Sequence, residues 1–156
     1  MLLSVDQLMM QEALRQAKIA QDKEEVPIGA VITHQNRIIA RAHNQVETLQ
    51  DPTAHAEMIA ITQAANSLSA KWLQECCLYV TLEPCAMCAG ALVLARMGRI
   101  FFGAGDPKAG ACGSVLNIVQ HPQLNHRVEI TRGIFAEESG QLLSEFFKKK
   151  RRANSC

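Results

Sequence analysis

No apolar run in this chain approaches the ~18 residues that mark a membrane span. The opening MLLSVDQLMM lacks the basic segment of a secretory signal and leads into an amphipathic pattern, so a cytoplasmic protein is expected. Internal repeats, low-complexity stretches and linkers are also missing, so residues 1–156 read as one domain, long enough to bury a core of its own. Six cysteines without a signal point to reduced thiols, because disulfides are rare in the cytosol. Cys76, Cys77, Cys112 and Cys156 therefore read as structural or incidental. Aromatic residues are few, at 4%.

What is present is a globular composition, 48% hydrophobic and 20% charged. The formal net charge of +1 conceals an asymmetry, because KKKRR at 148–152 holds five of the 16 Lys and Arg. Residues 1–147 carry 11 basic against 15 acidic side chains, a net of −4. A basic end on an acidic body suits contact with a polyanion, and equally suits cations at the C-terminal end of a helix. The basic end, about 148–156, is expected to lie away from any metal, with Phe146 and Phe147 either stacking beside it or anchoring the last helix.

Periodicity predicts a helix from Ser4 to about Asp22, with a capping box from Ser4 and Gln7 and an apolar face of Leu8, Met9, Ala13, Ala17 and Ala20. PIGAVITHQNRIIARAHN reads as a hairpin turning at His34-Gln35-Asn36. A second helix is expected over Thr53 to Ser67, capped by Thr53. The apolar run 77–82 reads as a strand, and a helix follows from Pro84 to before Gly98. Residues 99–103 and 127–131 read as strands, and a final helix runs from Glu137 to about Lys150. Strands alternating with helices predict an α/β fold with helices on both sheet faces and a ligand site beyond the strands' carboxyl ends.

The run 77–82 delivers Cys85 and Cys88 to that edge. A redox pair has the same local setting, but it leaves His55 and Glu57 unexplained. Metal accounts for more. Cys85 and Cys88, three apart on a helix, can face one ion, and a helix N-terminus favours thiolates. Zinc takes four tetrahedral ligands, so two thiolates and one imidazole leave a position for water, as in a catalytic site. No second Cys-x-x-Cys or His-x-x-x-His is present to complete the shell. His-x-Glu followed by Pro-Cys-x-x-Cys is a signature of zinc nucleobase deaminases.

HAE at 55–57 and PCAMC at 84–88 resemble the cytidine deaminase superfamily. EVPIGAV at 25–31, Asn44, DPTAHAE at 51–57, LYVTLEPCAMCAGAL at 78–92, FGAGDPKAG at 102–110 and NHRVEITRGI at 125–134 resemble one branch of it, the bacterial tRNA-specific adenosine deaminases. Gly105-Asp106-Pro107 departs from that pattern, in which Arg or another polar residue is expected before Asp106.

The resemblance implies a cytidine deaminase-like, three-layer α/β/α sandwich with a mixed five-stranded sheet. It implies one zinc per chain on His55, Cys85 and Cys88, with Glu57 as proton shuttle. The implied reaction is hydrolytic deamination of adenosine to inosine at the wobble position of an arginine tRNA. Asn44 is the implied substrate contact, with Asp106 and His121 nearer the RNA. The anticodon stem-loop is the implied partner, with phosphates meeting Lys148, Lys149, Lys150, Arg151 and Arg152, and a homodimer is implied. Glu83 is expected to stabilise the loop that carries the ligands. His34, His43 and His126 read as surface or hydrogen-bonded residues. The alternatives are a zinc deaminase of a free base or nucleoside such as guanine or cytosine, an inactive zinc-stabilised RNA-binding subunit, and a redox protein.

Overall fold

The computed structural model describes residues 2–155, so Cys156 lies outside the described residues. Helix α1 (Val5–Asp22) starts where its capping box predicts: Gln7 N–H donates to Ser4 Oγ at 3.1 Å and Ser4 N–H to Gln7 Oε1 at 2.9 Å. Its buried face is Met10, Ala13, Ala17 and Ala20, while Leu8 stays about half exposed. The stripe is small because the helix lies directly on the sheet. A methyl on Gly29 would stand 2.0 Å from the Ala13 carbonyl oxygen.

Strands β1 (Gly29–His34) and β2 (Arg37–His43) form the expected hairpin. The turn is only Gln35-Asn36, both at positive φ, the two-residue turn that matches strand twist. His34 is in the ladder, opposite Arg37. A one-turn helix α2 (Val46–Leu49), which the sequence pattern does not predict, precedes α3 (Ala56–Leu68). Then come β3 (Cys76–Leu82), α4 (Ala86–Leu94), β4 (Arg99–Ala104), β5 (Glu129–Arg132) and α5 (Ala136–Asn154).

The sheet order is β2-β1-β3-β4-β5, with β1 antiparallel to β2 and β3, and β4 parallel to β3 and β5. Alternation along the strands builds two cores. Ile32, Leu78, Val80, Ile100 and Phe102 pack with Ala60 of α3 and Leu92 of α4. Val31, Tyr79 and Phe101 pack with Met10 and Ala13 of α1. Helix α5 shares the α1 side, against β4 and β3. The result is three layers around a mixed five-stranded sheet, as expected. Tyr79 stacks on Phe101 at 4.6 Å and donates to Asp6 at 2.6 Å, tying the start of α1 to the sheet centre. Among the described residues no helix is long and apolar enough to cross a membrane.

Candidate active site

Two helix N-termini meet beside the end of β3, and neither starts where periodicity suggests. Thr53 does not cap α3, because its N–H and hydroxyl are both committed to Asp51 Oδ1, at 2.8 and 2.7 Å. The chain leaves that turn extended, and His55, at φ −74° and ψ 152°, becomes the cap. Pro84 likewise precedes α4, and Cys85, at φ −74° and ψ 177°, is its cap. This resolves the spacing of His55 and Glu57. Residues two apart on a helix face different ways, but His55 stands before the helix and Glu57 in its first turn.

The donors His55 Nδ1, Cys85 Sγ and Cys88 Sγ all lie within 4.8 Å of one another. Nδ1 is 3.6 Å from the Cys85 sulfur and 3.5 Å from the Cys88 sulfur. A tetrahedral ion with zinc's usual bonds to nitrogen and sulfur places those atoms about 3.5 Å apart. The donor set therefore fits zinc in both chemistry and spacing. Hydrogen bonds from the Cys88 thiol and from His55 pull the Cys85 thiol well below its ordinary value, despite burial. The same hydrogen bond, with burial, drives the Cys88 thiol upward, and hydrogen bonding to Cys85 raises His55 above its ordinary value.

Glu57 is buried, and burial pushes its carboxyl above the ordinary range against the opposing pull of His55. A cavity of about 200 Å³ opens over it, lined by Asn44, His55 and Glu57 together with Val26, Ile28 and Phe146. Asn44 is buried; its Oδ1 accepts the Val46 N–H at 3.3 Å, and its amide nitrogen lies 3.5 Å from the Val26 carbonyl. The cavity wall also holds Glu25, which sequence reasoning missed. Glu25 is 1% exposed and accepts Glu47 N–H at 2.9 Å, Thr48 N–H at 2.6 Å and the Thr48 hydroxyl at 2.6 Å. Burial opposes its ionisation, but the Thr48 hydroxyl and the two N–H donors hold it below the ordinary carboxylate range. Its signals in the sequence were an acidic residue just before an apolar strand and its place at the head of EVPIGAV, one of the segments that carry the resemblance.

Asp106 is half-buried, and its Oδ1 caps its own turn by accepting Lys108 and Ala109 N–H at 3.0 and 3.2 Å. It does not line the cavity. Gly105 has no backbone need for glycine, since a Cβ would make only ordinary contacts at 3.5 Å. His121 is exposed on the long loop before β5, accepts Gln123 N–H at 3.1 Å and does not line the cavity. His34 faces Glu75, His43 faces Gln16, and His126 Nε2 lies 2.7 Å from the Met97 carbonyl.

KKKRR is not a tail but the last turns of α5, which continues to Asn154. Lys148, Lys149, Lys150, Arg151 and Arg152 are all exposed. The expected distance from the site is corrected for Lys150: with Phe146, one helical turn earlier, it lines the same cavity as His55 and Glu57. Phe146 and Phe147 belong to neither core cluster. Burial raises the thiols of Cys76 to about 11 and Cys112 to about 12, which keeps both inert, and Cys77 rises for the same cause.

A family model described as MafB19-like deaminase matches residues 5–151. The tRNA-specific adenosine deaminase of Bacillus subtilis is 50% identical over 147 residues, 94% of this chain and 91% of that protein. The chain belongs to the tRNA-specific adenosine deaminase family. The family's protein from Aquifex aeolicus is 55% identical over 139 residues, 89% of this chain and 91% of its own. A solved structure from work on A-to-I editing by tRNA:A34 deaminases at the wobble position of transfer RNA superposes with a TM-score of 0.84 at 42% identity. It covers 87% of this chain and 99% of that one. The three-layer, mixed-sheet architecture is thus that of the family's cytidine deaminase-like fold.

Proposed function

We propose that this protein deaminates adenosine to inosine at the wobble position of an arginine tRNA. The observation that carries the reading is the convergence of His55, Cys85 and Cys88 on one point at the cavity that Glu57 lines. Three protein donors, with Glu57 beside them, fit a centre that keeps a position for water. His55, Cys85 and Cys88 would hold one zinc ion, which supplies water activated for attack near neutral pH.

Water adds to C6 of adenine, and ammonia must leave. Glu57 takes the proton released by the water and delivers it to the ring nitrogen beside C6, then supports protonation of the departing amine. Burial suits it to this work, because a carboxyl raised above the ordinary range keeps hold of a proton that it must later return. Asn44, held by Val46 and Val26, is placed to hydrogen-bond the nucleotide from the cavity wall.

An anticodon loop presents unstacked bases, so one adenosine can be extruded into a pocket at modest cost. Phosphates then meet the exposed cations Lys148, Lys149, Arg151 and Arg152, with Lys150 and Phe146 at the cavity itself. Asp106, which spends one carboxylate oxygen on its turn, contacts the RNA outside the cavity, and His121 does so farther along the same loop. The experiment is incubation with total tRNA followed by position-resolved sequencing of inosine. Inosine at the wobble position of arginine tRNA supports the reading. Conversion of free adenosine or guanine without conversion of tRNA would replace it with a nucleobase deaminase.

A further inference from the structure

The 24 residues 105–128 between β4 and β5 contain no helix or strand, although Gly110 and Ala111 among them pair with the metal-ligand turn at Cys85 and Pro84. Loops this long are uncommon in a compact fold, and something must hold such a segment in one conformation. Its early part winds around a single side chain. Glu83 is 2% exposed, and its Oε1 accepts Asp106 N–H at 3.1 Å and the Ser114 hydroxyl. Oε2 accepts Cys112 N–H at 3.0 Å and Ser114 N–H at 3.1 Å. All four donors are uncharged, so the carboxylate is stabilised by converging dipoles. The loop leaves no slack around it: a methyl on Gly110 would stand 2.4 Å from Glu83 Cδ and 2.6 Å from the Asp106 carbonyl oxygen.

The caged loop is also bonded to the ligand turn. Ala111 N–H donates to the Pro84 carbonyl at 2.8 Å, and Cys85 pairs with Gly110 as an isolated bridge. Glu83 itself continues the sheet through its N–H to the Ala104 carbonyl at 2.9 Å. The Glu83 side chain therefore ties the end of β3 to the Asp106 loop, and the backbone of that loop ties it to the Cys85 turn. We propose that Glu83 is a positioning residue, whose carboxylate fixes the Cys85 turn and the Asp106 loop as one unit and so sets the geometry of the three-donor centre.

The inference rests on the zinc reading of His55, Cys85 and Cys88. Glu83→Gln keeps the shape but turns one acceptor oxygen into a donor that faces N–H groups. Groups that orient metal ligands typically change metal affinity by 10- to 100-fold when altered. Zinc affinity, measured by competition with a chelator on the folded protein, should fall by about that factor. The visible absorption bands of the cobalt-substituted variant should shift, since they follow donor geometry and would not respond to a mere loss of stability. Ser114→Ala, which removes one donor and leaves the carboxylate, should give a smaller loss of affinity of the same sign. Wild-type affinity and an unshifted cobalt spectrum in folded Glu83→Gln would overturn the role. If Glu83→Gln does not fold, Ser114→Ala decides alone, and wild-type affinity there overturns it. A wild-type protein that takes up no zinc would instead sink the zinc reading on which the inference stands.

Discussion

His55 Nδ1 stands 3.5 Å from the Cys88 sulfur, although 33 positions separate the two residues in the chain. The contact joins the cap of α3 to the first turn of α4, so two helix N-termini point their partial positive charge at one place. That field favours thiolates, and the Cys85 thiol is pulled well below its ordinary value.

Cys88→Ala should lose the zinc that wild type carries at one ion per chain. Two remaining donors cannot hold the ion at micromolar chelator, and the variant should also unfold at lower temperature, because metal binding couples to folding. Metal analysis after gel filtration checks this. Undiminished zinc would remove Cys88 from the ligand set.

How much of this was legible in the sequence depended on how local the determinant was. The α1 cap needed only Ser4 and Gln7, and the hairpin needed only alternation and a polar turn. The starts of α3 and α4 were misjudged because Asp51 captures the Thr53 hydroxyl and because Cys85 stays extended, and side-chain periodicity records neither. His55, Glu57, Cys85 and Cys88 were readable by residue type and spacing, but their mutual aim was not. Glu25 and the reach of Phe146 and Lys150 into the cavity depend on contacts more than 20 residues apart in sequence, which spacing does not record.

The cations at the end of α5 should set the salt dependence of RNA binding. Each phosphate contact removed flattens the slope of log affinity against log salt by about 0.7 for a single-stranded loop. Replacing Lys148, Lys149, Lys150, Arg151 and Arg152 with Gln should weaken binding of an anticodon stem-loop most at low salt and reduce that slope. Lys150→Gln alone should also alter the rate at saturating RNA, because Lys150 lines the cavity. Parallel salt lines of equal affinity would mean the cations only solvate the helix end.

Glu25 should contribute pH-dependent stability. Its folded pKa is depressed, so the contribution is fully present above the unfolded carboxylate value of about 4.3 and is lost as pH falls through the folded value. Urea unfolding of wild type and Glu25→Gln across pH 7 to pH 3 isolates the group by difference. The stability gap should be constant at neutral pH and narrow only below about pH 4.3. A gap that is unchanged down to pH 3 would show that the carboxylate charge on Glu25 contributes nothing.

The most direct test is single-turnover deamination of the wobble adenosine in a saturating anticodon stem-loop by wild type and Glu57→Gln, with zinc counted in the same samples. Both proteins should hold one zinc per chain and bind the RNA alike. Inosine formation should be slower in the variant by at least about 10²-fold, the usual cost of losing a general acid–base. A zinc-loaded Glu57→Gln that forms inosine near the wild-type rate would contradict the assignment of Glu57 as proton shuttle and, with it, the mechanism built on this site.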